Sequence, residues 1–251
     1  MTWLGAVATI AAGMGAGALN AVIGSGSLIT FPTLVALGYP PVVANVSNNI
    51  GLVPGSASSV LGFREELKGQ GRRARTLAVA SGSGALTGAT LLLALPSDVF
   101  DAIVPALVLL ACALMVLQPR LSAWVAGRRA TDARDVGVAP MAIAFAAGIY
   151  GGYFGAAQGV ILLATLAVFV PDELQRSNAL KNVLAGVVNT VAALVFIAVA
   201  DVAWEAVALV AVGAIAGGTL GARYGRRIPA TALRAMVVVL GVAVAVRFLL
   251  T

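Results

Sequence analysis

The sequence predicts an all-α fold that crosses a membrane several times, and three observations carry that prediction. Hydrophobic residues fill 60% of the 251 positions and charged residues 10%, too little polar surface to coat a soluble globule of this size. The apolar stretches run continuously, as over 77–95, and lack the alternating ten-residue pattern of outer-membrane strands. Small residues recur four apart, Gly13 with Gly17, Gly84 with Gly88, and Gly213 with Gly217 and Gly221, which lets membrane helices approach backbone to backbone.

Taken in order, the apolar regions fall at 3–37, 41–63, 76–95, 99–117, 137–170, 177–200, 202–222 and 231–250. The opening Met-Thr-Trp-Leu-Gly has no basic n-region and reads as mature sequence, not as a cleaved signal. The first region is too long for one span and is interrupted by Gly24, Ser25, Gly26 and Ser27. The second opens on Asn45 and Asn49 and contains Pro54-Gly55-Ser56, where a kink is expected. From Gln118 to Asp135 runs the longest polar connection, with Arg120, Arg128, Arg129, Asp132, Arg134 and Asp135. It divides the chain into a first transmembrane repeat (1–117), a cytoplasmic linker (118–135) and a second transmembrane repeat (136–251).

The second half repeats the first at an offset of about 132 to 133 residues. Its long opening region, 137–170, is interrupted at Gly155-Ala156-Ala157-Gln158-Gly159, and its next helix opens on Asn178 and Asn182. Thr33-Leu34 falls on Thr165-Leu166. A continuous helix over 137–170 would be roughly 50 Å long against a hydrocarbon core of about 30 Å, so a break at the glycines is expected on length alone.

Loop charges set the orientation. The connections with Arg64, Lys68, Arg72, Arg73 and Arg75, the linker, and the connection with Arg223, Arg226, Arg227 and Arg234 are basic and should be cytoplasmic. Those with Asp98 and Asp101, and with Asp201 and Glu205, carry no Lys or Arg and should lie outside. Region 137–170 must then cross an even number of times, either as a re-entrant pair of half-helices or as two short spans. The same reasoning applied to 3–37 makes the two repeats inverted, a topology suited to a transporter. In the alternative, each long region spans once with tilt and the halves are parallel.

One cysteine, Cys112, and no histidine leave no disulfide, Cys/His zinc site, haem ligation pair or Cys/His nucleophile, and no cofactor is expected. The formal charge of +6 sits in short loops and not along one basic face, which argues against nucleic acid. There is no G-x-x-x-x-G-K-[ST] run for ATP. An enzyme is not expected, because no nucleophile and base pair appears among the amides, hydroxyls and single lysine of the apolar regions.

What the interruptions can do is bind an anion. A broken helix restarts with unpaired N–H groups and the positive end of its dipole, and interruptions at matching places in two halves mark a substrate site. Candidate residues are Asn20, Gly24, Ser25, Gly26 and Ser27 at the first break, and Gly155, Gln158 and Gly159 at the second. Asn45 and Asn49, and Asn178 and Asn182, lie one turn apart and share a helix face that should look inward. Lys181 would supply a positive charge. Each candidate also has a structural reading: glycines for tight packing, asparagines for interhelical hydrogen bonds, and Lys181 snorkelling to the interface. No Asp or Glu falls inside any expected span, so a proton relay would need the substrate or a residue near a span end such as Glu205.

The run from Ala44-Asn45-Val46-Ser47-Asn48-Asn49 through Pro54-Gly55-Ser56 to Gly62-Phe63-Arg64-Glu65-Glu66-Leu67 resembles the sulfite exporter TauE/SafE family of bacterial permeases. So do Asn178-Ala179-Leu180-Lys181-Asn182 to Asn189, and Gly217-Gly218-Thr219-Leu220-Gly221-Ala222-Arg223. The resemblance covers nearly the whole chain. It implies a multi-pass protein of the bacterial inner (cytoplasmic) membrane that moves sulfite, sulfonates, thiosulfate or related small organic anions. Many members have a run of glycines where this chain has Ser25, Ser27 and Gln158, side chains that add hydrogen-bond donors. The expected partners are a small anionic substrate and the lipid bilayer, with no nucleic acid; a homodimer is compatible with the small-residue faces. The competing reading is a non-transporting membrane subunit that scaffolds other proteins through those faces.

Overall fold

The computed structural model describes residues 1–126, 137–170 and 172–224, with positions 238, 239, 242 and 245 beyond them. Arg128, Arg129, Asp132, Arg134 and Asp135 of the expected linker lie outside the described residues, as do Arg226, Arg227, Arg234 and most of the region 231–250. Among the described residues the regular elements are α-helices: α1 (Trp3–Val22), α2 (Ser27–Ala36), α3 (Pro41–Gly62), α4 (Gly71–Ala94), α5 (Ser97–Ala126), α6 (Val138–Tyr153), α7 (Gln158–Phe169), α8 (Leu174–Val199) and α9 (Trp204–Tyr224).

Five of these, α1, α4, α5, α8 and α9, are long and apolar enough to cross a membrane. Large apolar side chains such as Val79, Leu86, Leu194, Val199 and Val212 point outward, as they would toward lipid. Helix α3 is also long, but Asn45, Ser47, Asn48 and Asn49 dilute its hydropathy. All four are buried within the bundle, so the dilution reflects an inward polar face and not exposure to water. Helix α5 continues to Ala126, beyond Gln118, where the polar connection begins in the sequence. A helix bonds its own backbone and need not stop where its apolar run does.

The long first region of each half, 3–37 and 137–170, folds as a hairpin that turns inside the protein, α1 with α2 and α6 with α7. In the first, Thr2 caps α1 through a 3.2 Å hydrogen bond from the Gly5 N–H, and α2 returns alongside until Leu37. A methyl group on Gly5 would stand 3.3 Å from the Leu37 side chain. In the second, Ala144 and Ala147 of α6 share an apolar cluster with Leu162, Leu166 and Val170 at the end of α7 and with Leu77 near the start of α4.

Each hairpin packs on a helix from the other half. Along α1 and α9, methyl groups on Gly17 or Gly217 would run into the carbonyls of Ala214 and Met14; along α4 and α6, methyl groups on Gly84 and Gly88 would meet those of Phe145 and Ile149. The four-residue glycine spacings read in the sequence therefore sit at the closest helix contacts. Helices α3 and α8 meet in the centre, where Asn189 Nδ2 donates to Ser56 Oγ at 3.5 Å.

The two ends of the bundle are tied by polar contacts. At one, the Met1 amine meets Glu205 at 3.3 Å and the Ala203 N–H donates to Ser47 Oγ at 2.9 Å, gathering the starts of α1, α3 and α9. At the other, Asp172 accepts from Arg73 at 3.1 Å and from Arg176 at 2.8 Å, while Gln70 Nε2 donates to the Arg176 carbonyl at 3.1 Å. Burial alone would raise the Asp172 carboxyl, but hydrogen bonds from Arg176, the Glu173 N–H and Arg73 hold it below the usual carboxylate range. The contact joins α4 of the first half to α8 of the second.

Candidate functional site

Both interruptions end their first helix by the same device. The N–H groups of Ile23 and Gly24 fold back on the Leu19 carbonyl at 2.7 and 2.9 Å, and those of Phe154 and Gly155 fold back on the Tyr150 carbonyl at 2.9 and 3.1 Å. Gly24 and Gly155 then take φ of +90° and +77°, left-handed values that a side chain rarely adopts. In the second interruption Ala157 also has positive φ, +62°, and Tyr150 donates its hydroxyl proton to the Ala156 carbonyl.

The two interruptions meet. The Gly159 N–H, at the start of α7, donates to the Gly24 carbonyl at 3.1 Å, and a methyl group on either glycine would collide with the backbone of the other. Around this crossing lies a polar cavity of about 20 Å³, room for about one water molecule. Asn20, Gly24 and Ser27 line it from the first half, and Gly155, Gln158, Gly159 and Asn182 from the second. Ala185 and the polar side chains of Ser56, Ser59 and Asn189 complete the wall. Those three are absent from the candidates drawn from the sequence, although the repeat offset carries Ser56 onto Asn189 and could have singled them out.

Ser25, Gly26, Asn45, Asn49, Asn178 and Lys181 do not line the cavity; Asn45, Asn178 and Lys181 instead hold the broken helices. Asn178 Nδ2 and Asn182 Nδ2 both donate to the Ala21 carbonyl at 3.1 Å, and Lys181 Nζ donates to the Asn20 carbonyl at 2.8 Å. In the other half Asn45 Nδ2 donates to the Tyr153 carbonyl at 3.0 Å. The last carbonyls of α1 and α6 have no partner within their own helices, and asparagines from the opposite half satisfy them. Asn48 accepts the hydroxyl proton of Thr30, which fixes α2 on α3. Lys181 does not snorkel: it is fully buried.

The donors open to a guest are therefore fewer than two bare helix starts would provide. The Gly159 N–H is taken by Gly24, and the Gly26 N–H donates to Asn20 Oδ1 at 2.7 Å. Gln158 Nε2, buried and lining the cavity, has no partner, and neither does Ser25 Oγ just outside it. A buried donor without an acceptor costs about 1–3 kcal/mol, and a guest that brings a hydrogen-bond acceptor would satisfy it. Behind the crossing, Phe31 stacks edge-on against Phe154 with ring centres 5.3 Å apart, and Phe100 packs on Phe154 and Tyr153. Among the described residues no group of His, Cys, Asp and Glu could hold a metal ion.

Comparison with known proteins extends these observations. Residues 9–248 match the family model described as sulfite exporter TauE/SafE. The chain is 26% identical over 234 residues to the probable membrane transporter protein ORF9 of Sinorhizobium sp., covering 93% of this chain and 88% of that one. It is 28% identical over 184 residues to the probable membrane transporter protein YfcA of Escherichia coli K12, covering 72% of this chain and 66% of that protein. No solved structure matches. A match over nearly the whole length, on a bundle whose apolar helices suit a bilayer, makes this chain a multi-pass membrane transporter of the sulfite exporter TauE/SafE family.

Proposed function

We propose that the protein is a secondary transporter that moves sulfite, a sulfonate or a closely related oxyanion across a bacterial inner membrane. The observation that carries this reading is the crossing of the two interrupted helices at Gly24 and Gly159, beside a cavity where Gln158 Nε2 has no acceptor. Hydrogen-bond donors in a water-poor site favour a small acceptor-rich anion. The fully buried Lys181 brings its amine to the back of the cavity through its bond to Asn20. The family's name, sulfite exporter, supports the same substrate class.

With room for about one water, the site is occluded and must open to admit an oxyanion. Two halves related as inverted repeats could do this by rocking about the crossing. That relation is supported by the hairpins entering from opposite ends of the bundle, α1 beside the start of α9 and α6 beside the start of α4. Movement in one direction would part the Asp172–Arg73 contact.

The test is uptake of labelled sulfite and methanesulfonate into proteoliposomes containing the purified protein alone. Saturable flux is expected, reduced about tenfold or more by Gln158→Leu, which removes the unpaired donor at similar volume. No saturable flux of either anion, or flux unchanged by Gln158→Leu, Lys181→Ala and Asn182→Ala together, would overturn the assignment. Flux in the absence of any partner protein also excludes a purely scaffolding role.

A further inference from the structure

We infer that the oxyanion this site takes carries an aliphatic tail. The charged head sits in the polar cavity, and the tail lies in an apolar groove on the outer side of the seam between α3 and α8. The inference rests on the oxyanion reading above and narrows its substrate class to anions with hydrocarbon attached.

The groove measures about 490 Å³, within the roughly 300–1,000 Å³ of small-molecule pockets. Val53, Ala57 and Val60 of α3 form one wall, and Val183, Val187 and Val191 of α8 form the other. It follows 53–61 of α3 and 183–191 of α8, a length of roughly 12 Å at the helical rise of about 1.5 Å per residue. Among the described residues no charged side chain lines it, so it suits a hydrocarbon chain and not the anionic head.

What ties groove to site is the thinness of the wall between them. Ser56 lines both spaces. Asn189 Nδ2 reaches the Ser56 hydroxyl only at 3.5 Å, and that hydroxyl donates to the Leu52 carbonyl at 3.1 Å, so it stays satisfied when Asn189 turns to a guest. Opposite it, Gly186 brings no side chain; a methyl group there would stand 3.6 Å from Ser56 Cβ. At this point a serine side chain against a glycine separates the polar cavity from the apolar groove. The repeat adds an independent observation. The offset that carries Ser56 onto Asn189 also carries Val53 onto Gly186 and Ala57 onto Thr190, and all four of these line the groove. Equivalent positions of the two halves face one another across the groove as across the cavity, so head and tail would both sit where the halves meet.

The cavity has room for about one water, so a tail has to leave it, and the Ser56 wall is where it can. The head then takes the free donor of Gln158, while each methylene that leaves water for the valine walls tightens binding about two- to fourfold. A bilayer acyl chain is the competing occupant. It would match the apolar walls but has no use for the serine that opens toward the cavity.

The experiment is inhibition of labelled methanesulfonate uptake by unlabelled alkanesulfonates of rising length, in proteoliposomes of the purified full-length protein. The inhibition constant should fall about two- to fourfold per methylene from methane- to hexanesulfonate and level off by decanesulfonate, whose tail outgrows the groove. Ala57→Phe fills the groove from its exposed rim and should bring methane- and hexanesulfonate within about twofold of each other. Should that variant fail to insert, Thr190→Phe fills the groove from the facing helix and reads the same ratio. Equal inhibition by all lengths in the unaltered protein would overturn the tail site and leave the anion site standing. So would a gain that keeps growing through dodecanesulfonate and survives the substitutions, the mark of partition into lipid with an acyl chain in the groove. Neither uptake nor inhibition by methanesulfonate or sulfite would overturn both readings.

Discussion

The two interrupted helices occupy the same place in the two halves but are held by different chemistry. The end of α1 is met by three side chains of α8: Asn178 and Asn182 on the Ala21 carbonyl and Lys181 on that of Asn20. Among the described residues the end of α6 is met by Asn45 of α3 alone, on the Tyr153 carbonyl, while the amide oxygen of Asn49 has no partner. Helix C-termini carry partial negative charge that lipid cannot solvate, so both need donors; only the first receives a lysine. The turns differ too, since the first uses glycine for its left-handed residue and the second adds Ala157. The two breaks share one backbone turn and differ in the donors that hold them.

That contrast can be broken most forcefully at the glycines. Gly24→Ala should cost about 3 kcal/mol or more, from left-handed strain together with collision against Gly159, and should abolish flux. Gly155→Ala, whose added methyl meets only the Gly151 carbonyl at 3.0 Å, should cost about 1 kcal/mol. Thermal unfolding in detergent reads both, and equal losses would show that the crossing is looser than its backbone contact implies. The asparagines test the unequal support: Asn45→Ala leaves the Tyr153 carbonyl bare and should cost about 1–2 kcal/mol, whereas Asn178→Ala leaves Asn182 on Ala21 and should cost about 0.6 kcal/mol. A comparably small effect has the opposite sign. Ala157→Gly relieves the left-handed alanine and should stabilise by about 0.5–1 kcal/mol, with Tm raised and flux retained.

Much of this site was legible before any coordinates. The breaks at Gly24 to Ser27 and Gly155 to Gly159 follow from regions too long for the bilayer, and the paired asparagines from polar residues placed where lipid would punish them. What the asparagines bond to was not legible. Helical spacing puts Asn178 and Asn182 on one face but says nothing of which helix that face meets, and the partner proves to be a carbonyl more than 150 residues earlier in the chain. The same holds for Gly159, whose amide reads as open to a ligand until the other break is brought against it. Ser56 and Asn189 were within reach through the repeat offset, yet neither stands out locally, because a hydroxyl near a proline and a lone amide each have many ordinary uses. The length of α5 escaped because helix and apolar run end at different places.

The exchange of partners between halves, α1 on α9 and α6 on α4, bears on how the molecule is made. As the chain leaves the ribosome, the first hairpin must wait in the bilayer with its glycine face uncovered until residues 204–224 have been synthesised. Neither half is a self-sufficient folding unit, so co-expressed fragments cut near residue 130 should regain function together while each alone is cleared by proteolysis.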